Sequence, residues 1–355
     1  MHVMREETVM KNPSARLYIV FILFLSVWVT GCPKTPEMPD RSEISTGYDL
    51  QDVPVDTSLG GLFFLDAQKG WASGNKGVIL HTEDGGKNWV VQETGTKMLI
   101  VSTFFINEKL GWAVGDKGLI AHTSDGGKTW GPQHSGEKKD LTHVYFVNEK
   151  QGWVTGVKGI LLSTEDGGLV WTRSKGDSRM TMNFIHFTDE DHGWIVAQKG
   201  KLLYTENRGI NWSLRETGTT IDLHQIGFVS PEIGWIVGSA GLVLKTVDGG
   251  KTWFRQKSGV NSLLTGLSFV DENTGWVVGA GGMVLRTRDG GKTWEQQTTG
   301  TLQFLTAVHF NDEKRGWITG TKKTLLFTET GGEAPPAVNG SANAALVSDS
   351  EKKSD

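Results

Sequence analysis

Five aspartates, Asp84, Asp125, Asp166, Asp248 and Asp289, recur in one frame, each two residues after a threonine and five before a tryptophan. Thr82-x-Asp84-Gly85-Gly86-x-x-Trp89 is the first copy. An Asp followed by two glycines suits a tight turn, because the carboxylate accepts backbone N–H groups and Gly takes positive φ without a Cβ clash. Repeated carboxylates also invite comparison with acid–base catalysis on sugars. A hydrolase gripping an acidic sugar needs arginines on the substrate carboxylate, a tyrosine nucleophile and a Glu/Asp pair. Beyond the N-terminal apolar segment the chain has only Tyr48, Tyr145 and Tyr204, and no arginine cluster with a matching role. The carboxylates stay in phase with the turns, which is the behaviour of structure. His81 and His122 hold equivalent positions and read as packing residues, whereas His143, His186 and His309 approach the centre of the fold. No ligand-spacing motif supports a metal. The sequence therefore assigns no catalytic residue, no metal and no cofactor.

The elements carrying these residues are repeats. Gly-Trp recurs at Trp71, Trp112, Trp153, Trp194, Trp235, Trp276 and Trp317, each 41 residues after the last. A second series runs Trp89, Trp130, Trp171, Trp212, Trp253 and Trp294, and a phenylalanine series runs from Phe64 to Phe310 in the same step. Self-similarity at such a period marks a repeat architecture. Within residues 100–136, short β-branched and aromatic runs alternate with Gly, Asn and Asp, which reads as four strands and tight turns. Four strands per repeat make one blade of an all-β, seven-bladed β-propeller. The turn before the second tryptophan matches the Asp-box (bacterial neuraminidase) repeat, in which such turns are structural. Blade four departs at Asn207 and Arg208, and blade seven at Thr330. The last unit stops before its fourth strand, and 41 residues before Trp89 stands Tyr48. Residues 48–56 are therefore expected to supply that strand and close the ring, leaving no open sheet edge.

The net charge of −4 gives no global case for nucleic acid. The charge distribution is more informative. First-to-second and third-to-fourth turns share one face of the disc, which collects acidic residues such as Glu108, Glu149, Asp189 and Glu190. Second-to-third turns and blade connections share the other. There Lys76, Lys117, Lys158 and Lys199 occupy one position in blades one to four, and Lys322 occupies it in blade seven. Blades five and six have Ala240 and Gly281. Lys97, Lys138, Lys139, Lys175 and Arg179 add to this face from the connections. One reading of the arc is solubility inherited through the repeat. The other is a docking surface for a protein with an acidic surface, with blades five and six left for a different contact.

Residues 17–30 are a continuous apolar run, too short for a comfortable membrane span. The run follows Lys11 and Arg16 and ends in Val29-Thr30-Gly31-Cys32, a signal peptide with a lipobox-like end. Cys32, the sole cysteine, is the expected lipidation site and mature N-terminus, with translation starting at Met1 or Met10. The expected organisation is a lipoprotein signal peptide at 1–31, a tether at 32–46, the propeller at 47–332 and a disordered tail at 333–355. This predicts a monomer, held at the bacterial cell envelope through a lipid and facing the periplasm or the exterior.

The unit Leu-x-x-Val-x-Phe … Gly-Trp-Ala-Val-Gly-x-x-Gly-x-Ile-x-x-Thr-x-Asp-Gly-Gly-x-x-Trp covers nearly all of residues 47–332. It resembles the photosystem II assembly and stability factor family of cyanobacteria and chloroplasts. The resemblance implies a non-enzymatic, seven-bladed propeller outside the cytoplasm, acting as an assembly chaperone through a charged patch. This chain departs from the pattern in its strict period without an inserted loop and in carrying a Lys arc instead of an Arg cluster. The leading expectation is a lipid-anchored scaffold that assists assembly of a membrane or envelope complex. The alternatives are an Asp-box glycoside hydrolase and a glycan-binding surface protein.

Overall fold

The computed structural model describes residues 46–174 and 180–335. Cys32, the signal segment, nearly all of the tether, most of the tail, Lys175 and Arg179 lie outside the described residues. Among the described residues no helix is long and apolar enough to cross a membrane.

Seven four-stranded antiparallel sheets form the seven blades of the propeller. Blade one consists of Leu59–Phe64, Gly70–Gly74, Ile79–Thr82 and Val90–Gln92. The later blades repeat this plan, and their first strands, such as Leu141–Phe146 and Met182–Phe187, neighbour one another around the ring. Every residue of each Gly-Trp strand is buried, as in Gly111–Gly115.

Contacts between blades explain why the period is strict. The Gly-Trp indole of each blade stacks on the phenylalanine of the next: Trp71 on Phe105 at 3.7 Å, Trp112 on Phe146 at 3.5 Å and Trp276 on Phe310 at 3.6 Å. Trp317 on Phe64, at 3.9 Å, completes the circle. Each such phenylalanine in blades one to six meets its own blade's second tryptophan nearly edge-on, as Phe105 meets Trp130 at 86°. Aromatic pairs of this kind add about 0.5–1.5 kcal/mol beyond area burial. Inserting a residue inside a blade would shift one partner of each pair. The glycine of Gly-Trp is required by close approach: a Cβ on Gly70 would collide with the Phe64 ring.

The Asp-box turns are closed by their own side chains. Thr123 Oγ1 donates to Asp125 and accepts from the Gly127 N–H at 2.8 Å, while Asp125 accepts from the Thr129 N–H and hydroxyl. The hydroxyl and N–H of Thr129, then the Thr123 hydroxyl, hold the Asp125 carboxyl down to about 2. The Thr252 hydroxyl and N–H do the same for Asp248. Asn207 in blade four keeps the geometry, its Oδ1 accepting from the Asn211 N–H at 3.0 Å.

The ring closes as the register of Tyr48 implied. Gly47–Leu50 pairs antiparallel with Leu325–Gly332, aligning Asp49 with Phe327 and Leu50 with Leu326. Tyr48 is 3 % exposed and donates its hydroxyl to Gln297 Oε1 at 2.6 Å. Trp130 and Trp171 make the same bond to Gln92 and Gln133, so the phenol stands in for an indole N–H. The strand is shorter than residues 48–56, because beyond Gln51 the chain turns inward and buries Val53 between blades seven and one.

Candidate functional site

The lysine arc is built by five equivalent turns between second and third strands. Each of the first four is a two-residue hairpin turn, Lys76-Gly77, Lys117-Gly118, Lys158-Gly159 and Lys199-Gly200, with positive φ at both residues and a closing bond such as Val78 N–H to Asn75 O at 3.3 Å. Every lysine of the arc has positive φ: 61° at Lys76, 54° at Lys117, 55° at Lys158, 59° at Lys199 and 50° at Lys322. Lys323 joins them at 54°, Ala240 at 53° and Gly281 at 72°.

A two-residue hairpin turn that matches the strand twist requires positive φ at both central residues, and these turns also reach the next blade. The Lys117 and Lys199 N–H groups donate to the Asp140 and Asp222 carboxylates at 2.9 and 2.7 Å. The Lys322 N–H donates to Ser58 Oγ at 3.2 Å. One residue later, the Gly159, Gly241 and Gly282 N–H groups donate to the Met180, Ser262 and Gln303 carbonyls. In blades two to seven these turns thus direct backbone donors across the blade boundary, while the lysine side chains remain exposed. Lys76, Lys117, Lys158, Lys199, Lys322 and Lys323 are all exposed. On the opposite face the two turns of each blade clasp one another, as in Gly85 N–H to Gln68 O at 2.8 Å, which confirms the division of the faces.

The lysine face is not purely basic. Asp116, Asp140 and Asp222 lie on it, and burial followed by the Asp140 charge pushes the Asp116 carboxyl above its ordinary value. Sequence reasoning missed both these carboxylates and the left-handed backbone. The one signal for the latter was Gly281 at the register of the lysines.

The ring's centre shows the same asymmetry as the arc. First-strand rings run Phe63 to Phe104 at 5.2 Å, Phe104 to Tyr145 at 5.0 Å and Tyr145 to His186 at 5.6 Å across blades one to four. Blades five and six place Gly227 and Ser268 at this position. His143 stacks on Phe184 at 3.7 Å. Burial, then the neighbouring His186, depresses His143 to about 3, and burial depresses His186 to about 4. Burial also lowers His309, against its bond to Asn311. No group of three or more His, Cys, Asp or Glu side chains converges among the described residues. His81 stacks on Trp71, and His122 lies tilted against Trp112 at 5.2 Å, so both pack on an indole.

The three tyrosines are dispersed. Tyr145 is on a first strand, donates to the Phe187 carbonyl at 3.0 Å and is pushed up to about 12 by burial. Tyr204 lies on a third strand against Trp194 at 4.3 Å, and Tyr48 on the outermost strand of blade seven.

The family model described as photosynthesis system II assembly factor YCF48 matches four overlapping segments, residues 41–132, 92–183, 175–258 and 255–342. The chain belongs to the YCF48 family. Solved structures share the propeller fold. A structure of YCF48 bound to D1 peptide is 21 % identical, with a TM-score of 0.69 over 80 % of this chain and 97 % of that one. YCF48 from Cyanidioschyzon merolae is 19 % identical, with a TM-score of 0.68 over 80 % of this chain and 99 % of that one. The fold is also shared with the GH74 xyloglucanase from Xanthomonas campestris, 11 % identical with a TM-score of 0.67 over 80 % of this chain and 54 % of that one. No curated protein matches by sequence.

Proposed function

We propose that this YCF48-family propeller is a non-catalytic scaffold that assists assembly of a membrane-protein complex, and that its lysine arc docks an acidic surface of the partner. The observation that carries the reading is backbone conformation. An L-residue with a Cβ in the left-handed region costs roughly 1–2 kcal/mol, and Gly, Asn or Asp are the usual occupants. Five blades place a lysine there. Solubility requires no lysine at a strained position, since the outer strands offer unstrained exposed sites nearby. Strained backbone clusters at functional sites, and five of the seven equivalent turns keep a lysine there. The relative bound to D1 peptide supports a peptide or protein as the ligand class.

Lipid on Cys32 would hold the propeller at the cell envelope. Two acyl chains and an amide-linked chain bury enough methylene for stable anchoring, at about 0.8 kcal/mol per CH₂. The folded body begins at Gly47 beside Gly332, on the face of the acidic turns.

Charge reversal tests the docking reading. Lys76, Lys117, Lys158 and Lys199 changed together to Glu should leave melting nearly unchanged, because isolated surface charges contribute within about 0.5 kcal/mol each. Capture of the partner from native membranes should fall, and wild-type capture should weaken as salt rises. Normal capture by the Glu variant at low salt would assign the arc to solubility.

A further inference from the structure

The face opposite the arc carries a sector that breaks its own repeat. At the tips of the Asp-box turns, blades one, two, five and six have Lys87-Asn88, Lys128-Thr129, Lys251-Thr252 and Lys292-Thr293. Blade three has Leu169-Val170, and blade four has Ile210-Asn211. Leu169, Val170 and Ile210 are 83 %, 61 % and 75 % exposed. Blade five continues the sector with exposed Val247 and Phe254.

One of them, Val170, acts against the chemistry of the turn that presents it. In the consensus copies the residue after the lysine clips the second carboxylate oxygen, as Thr129, Thr252 and Thr293 do at 2.6, 2.5 and 2.6 Å and Asn88 does at 2.7 Å. Val170 gives Asp166 only its backbone N–H, at 3.0 Å, because its side chain has no donor. Blade four also holds Arg208 at φ 61° where other copies have Gly, with its Nε on Asp191 at 2.9 Å. Turn stability has been given up where apolar groups meet water.

The surrounding charge fixes the kind of occupant. Replacing two lysines by Leu169 and Ile210 leaves this sector acidic, with Glu165, Glu190 and Glu206 all exposed around the apolar tips. Such a surface repels anionic head groups, and a symmetric contact with a second copy would set acid against acid. It complements a segment that is both cationic and apolar. We infer that the turn tips of blades three to five are a second docking surface, separate from the lysine arc, for a basic amphipathic protein segment.

The test uses the full chain and labelled synthetic peptides of alternating Lys and Leu, Glu and Leu, or Lys and Ser. Fluorescence anisotropy should show binding of the Lys–Leu peptide, weakened by salt, and at least tenfold weaker binding of the other two. Leu169→Ser/Val170→Thr/Ile210→Ser changes no charge and should weaken Lys–Leu binding at least tenfold. It should melt no lower than wild type, since the hydroxyl introduced by Val170→Thr regains the carboxylate bond. Glu165→Lys/Glu190→Lys/Glu206→Lys should weaken binding similarly, whereas the four-lysine Glu variant of the arc should bind normally. Unchanged binding by the serine–threonine variant would overturn the inference. So would self-association, or capture by phosphatidylglycerol vesicles, that this variant abolishes, because either would give the surface another occupant.

Discussion

Replacing the arc lysines with glycine should make the protein more stable and less able to bind. A lysine at φ of 54–61° carries roughly 1–2 kcal/mol of backbone strain. Glycine removes that strain but gives back about 0.4–1 kcal/mol through the greater freedom of the unfolded chain. The net gain is about 0.5–1 kcal/mol per site. Lys76, Lys117, Lys158 and Lys199 stand in four separate blades, so the gains should add to about 2–4 kcal/mol. Unfolding entropy is about 0.6 kcal/mol/K for a body of this size, which converts the gain to a Tm rise of about 3–7 °C. Two further variants isolate the cause. Ala240→Gly relieves the same strain, at φ 53°, without touching charge, and should raise Tm by about 1–2 °C with binding unaltered. Gly281→Lys extends the arc into blade six, where a Cβ meets no atom within 4 Å, so it should lower Tm slightly and strengthen capture. The assay pairs differential scanning calorimetry with partner capture from native membranes at low salt. A four-glycine variant that melts higher yet captures normally would refute the functional reading of the strain. One that melts lower would refute the strain itself.

Tyr48→Phe should cost about 1–3 kcal/mol by leaving buried Gln297 Oε1 unpaired, and Tyr48→Trp, the residue the repeat uses elsewhere, should cost less; urea unfolding ranks them. Deleting residues 47–57 should expose the Leu325–Gly332 strand and cause self-association, read by light scattering; a monomer with unchanged melting would contradict closure. Asp125 and Asp248 titrate near 2 in the fold and near 3.8 when unfolded, so the stability they confer is complete above about pH 4 and is lost as pH falls toward 2. Changing both to Asn should flatten the acid limb of Tm against pH while sparing capture per folded molecule. His143 is held neutral, so stability should fall from about pH 6.5 downward as the unfolded chain takes up protons, and His143→Phe should reduce that loss, measured as the difference in Tm between pH 7 and pH 5. Labelling cells with a clickable palmitate should mark the wild type and not Cys32→Ser.

The architecture was legible because each repeated residue has a partner in the neighbouring blade. Trp71 needs Phe105 one repeat on, so the contact wrote its spacing into the chain. Closure was legible for the same reason, since Tyr48 fills the place of a tryptophan. The extent of that strand was not, because burial of Val53 depends on the gap between two blades that are distant in sequence. Nor were the left-handed lysines, since lysine carries no signature of positive φ. Asp140 and Asp222 stand in the connections between blades, and only folding shows them accepting from the Lys117 and Lys199 N–H groups. Lys245 and Arg286 lie over Trp235 and Trp276, at 4.8 and 4.9 Å, where blades one and two use His81 and His122.

The most direct measurement is amine-reactive crosslinking of the full chain in native membranes, with the crosslinked lysines mapped by mass spectrometry. Crosslinks to an acidic protein through Lys76, Lys117, Lys158, Lys199 and Lys322, disappearing at high salt, are the predicted result. Crosslinks to such a protein confined to Lys87, Lys128, Lys251 and Lys292 on the opposite face would contradict it.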